Sequence, residues 1–116
     1  MVARGKKVVG LIESVTLIDK KGKKRTLKAK MDTGATRSSI DVSLTKEMDF
    51  GPVLRKKLVK SAHGTTLRPV IGANIEFASE KFKTEFTVAN RSHLRYKILI
   101  GVNVLEHGFL INPGKK

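Results

Sequence analysis

Asp32-Thr33-Gly34 is the tripeptide of this 116-residue chain with the most direct chemical use. An alternating apolar stretch delivers Asp32 to a point where Gly34 permits a tight turn, so the carboxylate is presented at the end of a strand. A carboxylate held that way can take a proton from a water or tie down a backbone amide. The second use is the ordinary one, because an Asp in a turn often bonds an amide one or two residues on. The tripeptide alone does not separate the two, since roughly one chain in fifty of this length would contain it by accident at average residue usage.

Other chemistries fall away. The chain has no Cys, and therefore no thiol nucleophile, no disulfide framework and no cysteine zinc site. His63, His93 and His107 lie far apart and form no His-Glu-x-x-His pattern, so no metal is expected. No Gly-x-x-x-x-Gly-Lys loop is present, and no cofactor is expected. The net charge of +14, from 24 Lys+Arg and 10 Asp+Glu, favours anionic partners. The densest basic block, Lys20 to Arg25 around Gly22, reads as a solvated hairpin turn. One Tyr and five Phe do not interleave with the basic residues as a base-stacking surface would, and no nucleic-acid module pattern is visible. Specific nucleic-acid binding is not expected. The charge is expected to decorate turns and outward strand faces, and to draw acidic peptides or tails, or anionic ribosomal neighbours, towards a cleft.

The elements that must position Asp32 are strands. Val9, Leu11, Val15 and Leu17 alternate through residues 7–18, and Thr26 to Met31 returns as a second strand. Ile71, Ala73, Ile75 and Phe77 alternate, then a turn at Ser79-Glu80. Phe82, Thr84, Phe86 and Val88 next alternate against Lys81, Lys83, Glu85 and Thr87, which predicts one core face and one wet face. Helix is scarce: one turn capped by Ser43, and a second from Val102 to Glu106 that ends at Gly108. Short strands broken by turns every ten residues or so predict an all-β fold, a small barrel or a sandwich, as a single domain over residues 1–116. No apolar run is long enough for a membrane span and no signal-peptide pattern is present, so a cytoplasmic, membrane-free location is expected. Few amide side chains among many Lys fit the composition of heat-adapted proteins.

Four further segments give the tripeptide a context. Ser38-Ser39-Ile40 follows the Asp-Thr-Gly-Ala loop. Ile98-Leu99-Ile100-Gly101-Val102-Asn103-Val104-Leu105 comes about sixty-five residues later, Ser61 to Leu67 lies between, and Gly108-Phe109-Leu110-Ile111-Asn112 closes the chain. In this order they resemble the retropepsin-like aspartic proteases, over about residues 8–113. The similarity is greatest to the group labelled ATP-dependent zinc proteases, related to partners of ATP-grasp ligases that modify ribosomal proteins.

The resemblance implies a retropepsin-type barrel with a flap hairpin, and Asp32 as catalytic residue in a loop with Thr33, Gly34 and Ala35. It implies substrate contacts from Ala62, His63, Gly64 and Thr65 in the flap, and loop support from Ile100 and Gly101. Such enzymes use two carboxylates, so it also implies a homodimer that brings two Asp32 residues together around a peptide substrate. Thr33 would brace the loop across the interface and Gly34 would bond substrate backbone. An ATP-grasp ligase or a ribosomal component is the further partner the resemblance suggests. The chain departs from retroviral members at Thr36 and Val102, which stand where those carry an Asp and an Arg that pair. Two other functions are weighed: a peptide- or protein-binding module of the same fold with little hydrolytic activity, and a basic RNA- or ribosome-associated protein.

Overall fold

In the computed structural model, residues 7–62 and 64–115 are described, and among them the chain forms nine strands and two short helices. In chain order these are β1 Lys7–Val9, β2 Ile12–Ile18, β3 Lys24–Met31, β4 Ser38–Asp41, α1 Val42–Glu47, β5 Arg55–Ser61, β6 Gly64–Phe77, β7 Glu80–Ala89, β8 Ile98–Ile100, α2 Val102–Leu105 and β9 Phe109–Ile111. Seven strands form one sheet in the order β2-β3-β8-β4-β7-β6-β5. A further pairing of β2 with β6 joins the two sides, so six strands close into a barrel and β5 stands outside it. β1 and β9 form a separate parallel pair.

The alternation read from the sequence is what fills the barrel. Val15 and Leu17 of β2, Ala29 and Met31 of β3, Ile71 and Ile75 of β6, Phe86 of β7, and Ile98 and Ile100 of β8 all point into one core. Lys20 to Lys23 of the basic block form the β2–β3 turn as expected, and Lys24 and Arg25 begin β3. Asp19 accepts from the N–H groups of Lys21 (2.9 Å) and Lys23 (2.7 Å), and Gly22 takes a φ of 84° that a side chain would strain.

β6 does two jobs because it is long. From Val70 to Phe77 it pairs with β7 inside the barrel, and from Val70 back to Gly64 it pairs only with β5. Beyond Val70 the β5–β6 hairpin therefore leaves the barrel and projects as a flap.

Two local expectations are corrected. The cap of α1 is Asp41, whose carboxylate accepts from the Ser43 N–H at 3.1 Å and from the Ser43 hydroxyl. Ser43 is thus the partner of the cap, two residues after it. Thr87 belongs to the face of β7 expected to be wet, yet it is 4 % exposed. β4 pairs alongside it, with Ser39 opposite Thr87, and the flap stands over this end of the sheet. Alternation in a strand predicts which residues share a face; it does not predict that the polar face stays uncovered.

Candidate active site

β3 and β8 run parallel with Met31 opposite Ile100, which brings the residues that follow each strand, Asp32 and Gly101, side by side. Asp32 N–H donates to the Ile100 carbonyl at 2.8 Å. The Asp32 side chain, partly exposed, accepts from Gly34 N–H at 2.8 Å. The amide-holding role of a turn Asp is therefore present, and among the described residues the second carboxylate oxygen accepts no hydrogen bond. A Cβ on Gly34 would stand 3.2 Å from the Asp32 carboxylate oxygen, so glycine keeps this approach open.

The loop is held from beneath by the segment after β8. Val102 N–H donates to the Ala35 carbonyl (2.8 Å) and Asn103 N–H to the Thr36 carbonyl (3.2 Å). Gly101 lies so close that a Cβ there would be 2.7 Å from backbone atoms of Ala35 and Arg37. Two side chains complete the brace. Ser38 Oγ accepts from Gly101 N–H (3.0 Å) and donates to Asn103 Oδ1 (2.8 Å), which also accepts from Ser38 N–H (2.8 Å). The Asn103 amide in turn donates to the Glu85 carbonyl (3.0 Å) and the Thr84 hydroxyl (3.2 Å) of β7. Ile100 is fully buried and anchors the strand end. Ile100 and Gly101, expected as support, thus meet Asp32 and Ala35 directly. Ser38 and Asn103 lay within the quoted segments, but nothing in a linear sequence says that residues sixty-five apart share a proton network.

A cleft of about 470 Å³ opens between this loop and the flap. Gly34 and Ala35 form one wall with Arg37, the strand Lys57–Lys60 of β5 forms the roof, and Ser39, Thr87 and Leu99 lie at the floor. Of the flap residues expected to touch substrate, Ala62, Gly64 and Thr65 are at the hairpin tip, where Ser61 pairs with Gly64 and Lys60 with Thr65. They are exposed and do not line this cleft. His63 lies outside the described residues. Thr33 is exposed.

Missed by sequence reasoning is where part of the charge sits. Arg37, Lys57, Lys60, Arg68 and Arg91 all line the cleft, with no carboxylate among its lining residues. Lys57 and Arg68 are cross-strand partners on the flap. Burial and the neighbouring Arg68 charge weaken the hold of Arg91 on its proton, although Asp41 opposes them. Among the described residues no cluster of three His, Asp or Glu could hold a metal, and no helix is long and apolar enough to cross a membrane.

A closed six-stranded barrel, an Asp-Thr-Gly loop braced by a hydrophobic-hydrophobic-Gly strand end, and a projecting hairpin together define the fold of the retroviral proteases. Solved structures bear this out. The chain is similar to simian foamy virus protease (19 % identity, 82 % of this chain and 91 % of that one, TM-score 0.60). It is similar to EIAV protease in complex with an inhibitor (18 %, 82 % and 84 %, TM-score 0.65). A Legionella pneumophila protein of unknown function matches over 95 % of both chains at 22 % identity and a TM-score of 0.66. Comparison with curated proteins returns no match. The sequence profile of the RimB-like family, described as retropepsin-like aspartic endopeptidase RimB, matches residues 44–116, and the chain belongs to that family.

Proposed function

We propose that this protein is an aspartic endopeptidase whose active centre is a pair of Asp32 carboxylates contributed by two copies of the chain, with residues 1–116 acting as one retropepsin-like unit. The observation that carries the reading is the braced Asp32 loop, whose Gly34 and Ala35 line a cleft under a flap although Asp32 itself does not, in a chain of this family. A single loop supplies one carboxylate, and water activation on a peptide needs a base and an acid together.

Two carboxylates held close share one proton, because both cannot ionise at that distance, and they titrate as a unit. The charged member takes a proton from a water, and the resulting hydroxide bonds to the peptide carbonyl carbon. The protonated member donates to the carbonyl oxygen as it becomes an oxyanion. Collapse of the tetrahedral intermediate breaks the C–N bond, and the amine leaves with the proton taken from the water. Gly34 stands where a substrate backbone group can approach, and an extended peptide beneath the flap would pair as an added strand.

Dimerisation has support in the end pair. Val8 and Leu110 are register partners of β1 and β9, and each is nearly half exposed (45 % and 48 %). An apolar, strand-edged surface of that kind invites a two-fold partner.

Asp32→Asn should abolish cleavage of an extended peptide library while leaving the melting temperature and the dimer, measured by sedimentation, unchanged. Full cleavage by that variant would overturn the assignment. Retained binding of a hydroxyl-bearing transition-state mimic without any cleavage by the native chain would favour a binding module instead.

A further inference from the structure

Glu85 stands where three parts of the molecule meet. It lies on β7 opposite Gly72, two residues along β6 from Val70, where Arg55 pairs and the flap leaves the barrel. Gly72 has no side chain to stand in the way, and the Arg55 guanidinium reaches across to hold the Glu85 carboxylate by two bonds, 2.5 and 3.1 Å. Arg37 Nη1 lies 3.8 Å from the same Oε1 that Arg55 Nη2 binds. The Arg37 backbone is fixed in turn, because its carbonyl lies where a Cβ on Gly101 would be 2.7 Å away. Glu85 also gives its own carbonyl to the Asn103 amide (3.0 Å), the side chain that braces Ser38. Among the described residues, Glu85 is the one carboxylate that forms ion pairs with two cations. The Arg55 hydrogen bond chiefly, with the charges of Arg55 and Arg37, holds it below its ordinary value against the effect of burial.

We infer that Glu85 is a positioning residue that couples the flap to the Asp32 loop: Arg55 fixes the carboxylate, and the fixed carboxylate holds Arg37. The two are opposite sides of one cleft, since Arg37 lines it beside Gly34 and Ala35 while β5, which Arg55 begins, forms its roof. The fork of Arg55 matters because two bonds set the direction of a carboxylate, whereas the single longer contact of Arg37 does not. All three side chains are partly exposed, and ion pairs of that kind add little to global stability. Their effect is therefore local: a displacement of the flap root turns the carboxylate and is passed to the loop, and the reverse. The consequence for turnover rests on the proposed peptidase reading; the coupling itself is a property of the free chain.

Backbone amides report each side separately. Leu54 N–H, bonded to the Val70 carbonyl, reports the flap root; Val102 and Asn103 N–H, bonded to the Ala35 and Thr36 carbonyls, report the loop. In residue-resolved hydrogen exchange of the full-length protein, Arg55→Gln should speed Leu54 and also Val102 and Asn103, by about twofold to fivefold, the worth of one exposed ion pair. In a Glu85→Gln background, adding Arg55→Gln should change Val102 and Asn103 no further. Arg25→Gln, which breaks the separate ion pair to Glu47 of α1, should leave all three amides at their native rates. Faster exchange at Leu54 alone would overturn the coupling, as would equal acceleration of the buried core amides, which marks global destabilisation. Slower exchange at Val102 would overturn it too, because the two arginines would then compete for the carboxylate. With an extended peptide, Glu85→Gln should change kcat and KM together, as a displaced hinge does; an activity loss equal to the lost folded fraction would leave Glu85 a structural residue only and overturn the inference. If the native chain cleaves no peptide, the peptidase reading fails while the exchange rates still decide the coupling.

Discussion

Asn103 does more for the candidate centre than any other side chain besides Asp32. It satisfies both the amide and the hydroxyl of Ser38, and Ser38 in turn holds Gly101, so one amide group ties the strand before α1 to the support of the Asp32 loop. Asn103→Ala leaves the buried Ser38 N–H and the Glu85 carbonyl without these partners. Unfolding free energy in a urea titration should fall by about 1–3 kcal/mol, the range for an orphaned buried polar group. Peptide cleavage should fall further than the lost folded fraction accounts for, since the loop it braces carries the acid. Of this residue-scale picture, Asp32 was legible because strand, turn and glycine are local. Asn103 was not, because its function is defined by partners on β4 and β7.

At the scale of elements, the crossing of the Asp32 loop with the turn into α2 sets the tightest tolerance. Gly101 would place a Cβ 2.7 Å from three backbone atoms, which flexible side chains cannot relieve. Gly101→Ala should cost about 1–3 kcal/mol, the usual range for overpacking a filled interior, and calorimetry checks it. The flap is secured differently, by charge at its root. Arg55, the first residue of β5, makes two bonds to the Glu85 carboxylate (2.5 and 3.1 Å), and Glu85 also faces Arg37 behind the active loop. The hairpin was expected only through the family resemblance, which implies a flap between the two motifs. Its separation from the barrel was not, because it depends on where β7 stops pairing with β6 at Val70.

For the whole molecule, acid is the condition to which the fold should be sensitive. Burial would raise the Asp41 carboxyl, but the hydrogen bonds from Ser43 and Arg91 and the charge of Lys97 outweigh it and hold the group below its ordinary value. Glu85 is lowered chiefly by the Arg55 hydrogen bond. Carboxylates lowered by folding contribute stability that is complete above their unfolded values, about 4, and is lost as pH falls through the folded ones. The melting temperature should therefore hold between pH 5 and 7, to within roughly the error of the scan, and drop below about pH 4. Asp41→Asn should flatten that drop and, because an amide has one accepting oxygen where the carboxylate uses both, cost about 1–3 kcal/mol at neutral pH. Charge also bears on the proposed dimer. Two copies at +14 each repel, so the dimer dissociation constant from sedimentation should fall as salt rises from about 0.05 to 0.5 M. A constant that rises with salt would mean that ion pairs hold the interface.

Sequence alone determined the strands and the turn that presents Asp32, because both are written in local code: period-two alternation makes half-buried strands, and Asp-Thr-Gly makes a strand-end turn. Only the tertiary structure decided what surrounds the acid. The parallel register of β3 with β8 brings Asp32 to Gly101, the closure of β2 on β6 throws the flap outward, and pairing of β4 with β7 buries Ser39 and Thr87 beneath it. The excess positive charge shows the difference most plainly. As a sum along the chain it says only that anions are attracted. Five of its members reach one cleft because four separate segments of the chain, β5, β6 and the segments after Asp32 and after β7, converge there, and convergence is a property of pairing distant strands that no stretch of sequence carries by itself.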